Sequence, residues 1–125
     1  MARILVVDDE EPIRVLLRRA LTFQNHKVVE AKDGREALKL YRLETKKFDA
    51  VITDMMMPGS DGFDLVNELS VIDSDVKVII MSGWFDDNEL ETMKEETSSC
   101  IKSFVRKPFS MEVINQVLSE VLNRD

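Results

Sequence analysis

The 125-residue chain has the length of one compact domain, and with 44% hydrophobic residues it can bury a core without disulfides or a structural metal. Its 24 acidic and 17 basic side chains leave a formal charge of −7, which opposes binding to nucleic acid or to an anionic membrane surface. A lone Cys100 excludes an internal disulfide or a cysteine-built zinc site, and reads as a small apolar residue in a reducing compartment.

The first element is an apolar run at residues 4–7. No basic segment precedes it and it is far too short to span a bilayer, so the chain is expected to be soluble and cytoplasmic. A helix starting near Glu11 follows, with Pro12 in its first turn and Ile13, Leu16, Leu17, Ala20 and Leu21 on one stripe. His26, the only histidine, is read as a strand-edge residue before a second strand at 27–30. A helix at about 34–44 turns Ala37, Leu38 and Tyr41 inward, and a third strand is expected at 50–53. The next helix, about 62–70, buries Leu65, Val66 and Leu69, and a fourth strand covers 76–81. A helix at 87–96 carries only Leu90 and Met93 among many glutamates, so it would dock shallowly. A fifth strand at 103–106 leads to a last helix capped by Ser110, with Val113, Ile114, Val117, Leu118, Val121 and Leu122 as its apolar face.

Strand and helix thus alternate five times, and several strands are apolar on consecutive residues. That pattern predicts an α/β fold: a parallel five-stranded sheet with right-handed crossovers and helices on both faces. Ligands in such folds bind beyond the carboxyl ends of the strands. There the sequence puts Asp8 and Asp9, then Asp54 ahead of Met55-Met56-Met57-Pro58-Gly59, then Ser82-Gly83, then Lys107-Pro108. Three neighbouring carboxylates repel one another, and a divalent cation with hard oxygen ligands, Mg²⁺, would relieve this. Asp54 could then attack phosphorus, with Lys107 as counter-charge and Ser82 as hydrogen-bond donor. Each residue alone has a plainer reading. Asp8 and Asp9 could cap a helix, Asp54 could form a turn, and the methionines could fill core and loop. The weight lies in the combination.

With Ile4-Leu5-Val6-Val7-Asp8-Asp9-Glu10, Asp49-Ala50-Val51-Ile52-Thr53-Asp54-Met55-Met56-Met57-Pro58, Asp61-Gly62-Phe63 and Lys107-Pro108-Phe109, the whole chain, 1–125, resembles the receiver domain of two-component response regulators. The resemblance implies a doubly wound, flavodoxin-like sheet of order 2-1-3-4-5. It implies that Asp54 takes phosphate from a sensor kinase's phosphohistidine or a phosphotransfer protein. Asp8, Asp9, Asp54 and the Met56 carbonyl would hold Mg²⁺, Lys107 would pair with phosphate, and the Lys107–Pro108 bond would be cis. Ser82 and Phe104 would be the switch pair, reshaping the face of the fourth helix, fifth strand and fifth helix for a partner or a fused output domain. Such a chain is not an enzyme beyond its own phosphorylation and slow dephosphorylation. It would be a monomer or weak dimer through that face, without membrane insertion or direct nucleic-acid binding.

Three departures stand out. Phe104 lacks the hydroxyl of the commoner tyrosine. Residues 87–102 are polar and long, without the usual small Gly-Ala segment. Met56 and Trp84, two residues beyond Asp54 and Ser82, are bulky where hydrolysis is tuned, which points to a long-lived phosphoryl state; Trp84-Phe85 could also anchor a partner. An aspartate-nucleophile phosphatase is the alternative enzyme, but it would need an acid where Met56 stands. A phosphorylation-independent interaction module is the third reading, and the intact acidic set argues against it.

Overall fold

A strand covered by helices on both faces needs apolar side chains at consecutive positions, and the described chain has them where expected. The computed structural model describes residues 2–44, 47–57, 60–83 and 99–123, and of residues 56, 60 and 61 the backbone alone. The strands are β1 (Arg3–Val7), β2 (Lys27–Ala31), β3 (Ala50–Asp54), β4 (Val78–Ser82) and β5 (Ile101–Arg106). They pair in parallel in one five-stranded sheet of order β2-β1-β3-β4-β5. The described helices are α1 (Glu11–Phe23), α2 (Gly34–Leu43), α3 (Gly62–Ile72) and α4 (Met111–Leu122). The helix predicted at 87–96 falls outside the described residues.

Alternate strand residues feed two cores. Leu5, Val7, Val51, Val78 and Ile80 pack with Ala37 and Tyr41 of α2 and with Leu65, Val66 and Leu69 of α3. Ile4, Val6, Ile52, Ile79 and Met81 pack with Leu17 and Leu21 of α1 and with Ile114, Leu118 and Val121 of α4. Two helix starts are fixed by side chains: Asp33 accepts the Glu36 N–H at 2.8 Å, and Ser110 accepts the Val113 N–H at 3.1 Å. Among the described residues, no helix is long and apolar enough to cross a membrane.

Several boundaries differ from those predicted. The third and fourth strands run one residue further, so Asp54 and Ser82 end strands rather than follow them. The fourth strand begins at Val78, because Val76 donates its N–H to Asp73 instead of to a strand. The fifth starts at Ile101, across a register irregularity between Val78 and Ile79. Val113, assigned to the apolar face of the last helix, is 43% exposed. At 100° per residue it lies about a quarter turn from the centre of the Ile114–Leu118–Val121 face.

Tyr41 ties the end of α2 to the loop after α3, donating its hydroxyl to Asp73 Oδ2 at 2.7 Å. Burial alone would raise the Asp73 pKa, but the Tyr41 hydrogen bond, the Asp75 amide and Lys47 outweigh it and hold the carboxyl below its ordinary value of 3.8. The unfolded chain therefore binds this proton at higher pH than the folded one. The resulting stabilisation is present above the ordinary carboxyl range and is lost as pH falls through the folded pKa. Tyr41→Phe is expected to lose about 1 kcal/mol at neutral pH by denaturant unfolding, with the deficit shrinking as acid protonates Asp73. A deficit that stays constant into the acid range would contradict this role.

Candidate functional site

The carboxyl ends of four of the parallel strands deliver side chains to a common edge. Asp8 follows β1 and is fully buried, Asp54 ends β3 at 9% exposure, and Ser82 ends β4 at 5%. Lys107 follows β5, and its N–H donates to the Ser82 carbonyl at 2.9 Å, so backbone pairing carries it to the site. The Lys107–Pro108 bond is cis, as expected.

Asp8 is held at every polar atom. Its Oδ1 accepts the Glu10 N–H at 2.8 Å and its Oδ2 accepts Lys107 Nζ at 2.9 Å. Its carbonyl accepts Arg14 Nη1 at 2.7 Å, and its N–H donates to Ala31 at 3.1 Å. The cap position of α1 belongs to Glu10, which makes no side-chain cap bond, so Asp8 is not that helix's cap. The same Lys107 ammonium lies 3.5 Å from Asp54 Oδ2. Burial works against its charge, but the Asp8 hydrogen bond and the nearby Asp54 charge outweigh burial and raise its pKa.

Asp9 is exposed beside this pair. Asp8, Asp9 and Asp54 each offer a carboxylate oxygen, all within 4.8 Å of one another. Such an all-oxygen, strongly anionic donor set fits a hard divalent cation. The remaining residues named from sequence divide clearly. Phe104 of β5 pairs across from Ile80 and packs, half-buried, against the α2–α3 core. The Met56 backbone lies in a short antiparallel ladder, Met56–Met57 with Ser60–Asp61, while Met55 and Met57 are buried in the core, as filler residues should be. Trp84 and Phe85 lie outside the described residues. Cys100 is buried in the core. His26 sits at the opposite edge of the sheet, its Nδ1 accepting the Ala2 N–H at 3.1 Å, as a residue next to a strand end.

Two supporting residues have roles that the sequence does not assign. Arg14 clamps the Asp8 carbonyl and is itself held by Glu30 of β2 at 3.5 Å, with Arg18 on the other Glu30 oxygen at 2.9 Å. Gly62 opens α3 directly beneath Asp54, where an added Cβ would stand 2.8 Å from the Asp54 carbonyl oxygen and 3.1 Å from Met55 Cα. The signal for Arg14 was its position one turn into α1. For Gly62 it was the Asp-Gly pair before an apolar helix.

The sequence pattern of the response regulator receiver domain matches residues 4–119. The chain belongs to that family. It is similar to sporulation initiation phosphotransferase F of Bacillus subtilis (strain 168), with 31% identity covering 96% of this chain and 93% of that protein. It is 33% identical to response regulator MprA of Mycolicibacterium vanbaalenii over 98% of its own length, but spans only 51% of MprA. Among solved structures, response regulator TrrA of Thermotoga maritima in complex with Mg²⁺–BeF aligns at a TM-score of 0.79 and 30% identity, covering 97% of this chain and 99% of that one. Receiver domains are signalling modules that work with kinases and output domains rather than classical enzymes, and this receiver's aspartate cluster fits the phosphorylation and metal site typical of them.

The close approach at Gly62 sets a test. Gly62→Ala must displace the backbone that carries Asp54, and should cost about 1–3 kcal/mol in denaturant unfolding. In Gly83→Ala the new Cβ meets Lys107 at an ordinary 3.9 Å, so near-neutral behaviour is expected. Equal stabilities for the two variants would contradict the steric reading.

Proposed function

We propose that this receiver accepts a phosphoryl group on Asp54 from a phosphohistidine of a sensor kinase or phosphotransfer protein, and signals by a change at its β5 face. The observation carrying this reading is the Lys107 ammonium lying between Asp8 and Asp54, within a cluster of three convergent carboxylates. Asp8, Asp9 and Asp54, with the Met56 carbonyl, would hold Mg²⁺. When bound, the ion neutralises carboxylate charge and the charge on phosphoryl oxygens.

Asp54 is exposed enough to meet a donor and buried enough to exclude most water. One of its carboxylate oxygens forms the new P–O bond as the P–N bond breaks, and that electron pair returns to the donor imidazole. Lys107 then exchanges its contacts with Asp8 and Asp54 for a phosphoryl oxygen. The Ser82 hydroxyl donates to a second oxygen, drawing the end of β4 inward and giving Phe104 room to follow. These contacts exist only in the phosphorylated state, so they shift the population of the switched conformation.

The partner is a kinase on the input side and a protein or fused output domain on the other. Sensor kinase CckA of Brucella abortus contains a segment 32% identical to this chain, which covers 13% of that protein. We place the receiver in the cytoplasm, as a monomer or weak dimer through β5 and its flanking segments. The phosphatase reading is not favoured, because the residue two beyond Asp54 is Met56, which offers no general acid.

The direct test is intact mass after incubation with acetyl phosphate and Mg²⁺. The wild-type chain should gain one phosphoryl group, about 80 Da, while Asp54→Ala and chelator-treated samples should not. An equal adduct on Asp54→Ala would overturn the assignment. A long phosphoryl lifetime is also expected, because bulky apolar Met56 and Trp84 should hinder an attacking water. Met56→Asn with Trp84→Ala should therefore speed loss of the adduct severalfold, and unchanged decay would remove that role.

A further inference from the structure

Away from the acidic site, α2 and α3 enclose an open groove of about 960 Å³, within the range of binding clefts. Leu38, Leu43 and Leu65 are among its lining residues, and Leu43 is 67% exposed. One bank is a row of cations on α2: Arg35, Lys39 and Arg42, spaced i, i+4 and i+7 on a single stripe. All three are exposed, and among the described residues none makes an ion pair or side-chain hydrogen bond. The opposite bank, on α3, carries Asp64 and Glu68.

Like charges at i,i+4 and i,i+3 oppose the helix that carries them, and among the described residues no ion pair offsets them. The row is concentrated beside an exposed leucine in a protein of net charge −7. A counter-charge from outside would relieve it. A nucleic acid or phosphate-rich surface does not fit, since Asp64 and Glu68 would repel a polyanion across the same groove. A helix with one acidic edge does fit: carboxylates at the same i, i+4, i+7 spacing face α2, and its apolar ridge covers the leucines.

We propose that the α2–α3 groove docks an amphipathic helix of a partner protein, with its apolar ridge on Leu38 and Leu43 and its acidic edge against Arg35, Lys39 and Arg42. The contact is independent of Asp54 and lies outside the β5 face assigned to switching. Part of its strength is electrostatic, so it should weaken with added salt.

The test uses a capped helical peptide of about 18 residues, with a leucine ridge, glutamates along one edge and glutamines along the other. A matched peptide carries lysines in place of the glutamates. Amide chemical shifts of the ¹⁵N-labelled chain should move at 34–43 and 62–72 with the glutamate peptide. The lysine peptide should bind wild type about tenfold more weakly. In R35E/K39E/R42E the preference should reverse, while acetyl phosphate still adds one phosphoryl group, confirming an intact fold and site. Absence of shifts at the groove, shifts confined to another face, or the same preference in wild type and variant would each overturn the proposal.

Discussion

The site depends on one balance of charge: three carboxylates within 4.8 Å of one another, with the Lys107 ammonium set 2.9 Å from Asp8 and 3.5 Å from Asp54. Carboxylates at this spacing repel one another, and the ammonium offsets part of that repulsion. One ammonium does not neutralise all three carboxylates. The net negative charge that remains fits a divalent cation. Asp9, the exposed member, stands at the entrance, whereas Asp8 is fixed in place by its four hydrogen bonds.

The parallel sheet makes this balance possible. Each strand brings its carboxyl end to the same edge, so residues far apart in sequence meet without a special loop. Asp8 and Lys107, 99 positions apart, are joined in this way. Asp54 and Ser82 lie inside the ladder rather than after it, so strand pairing fixes the backbone of both. Gly62 lets α3 approach the strand end closely, and Arg14 holds the Asp8 backbone from the α1 side. The groove between α2 and α3 lies on the same face of the sheet as Phe104 but uses different side chains, so a partner there could bind in either phosphorylation state.

Much of this was legible in the sequence. The two periods, apolar runs for strands and 3.6-residue stripes for helices, give the sheet, the helix faces and the strand ends, because burial on both faces leaves little freedom. The convergence of Asp8, Asp9, Asp54, Ser82 and Lys107 followed from topology alone. What periodicity cannot give is where a ladder stops. Asp54 and Ser82 are polar, so pattern reading ended their strands one residue early, although backbone pairing continues through them. Val113 departs for a related reason: an apolar residue can stand well away in angle from the buried helix face. Arg14 and Gly62 act through a backbone carbonyl and through close approach, neither of which leaves a periodic mark.

Lys107 occupies negative charge that a divalent cation would otherwise meet. Isothermal titration of Mg²⁺ into the unphosphorylated chain tests it directly, comparing wild type with Lys107→Met. Removing the ammonium should tighten Mg²⁺ binding, because a competing positive charge next to Asp8 and Asp54 is gone. Equal or weaker binding in the variant would contradict this account of the site.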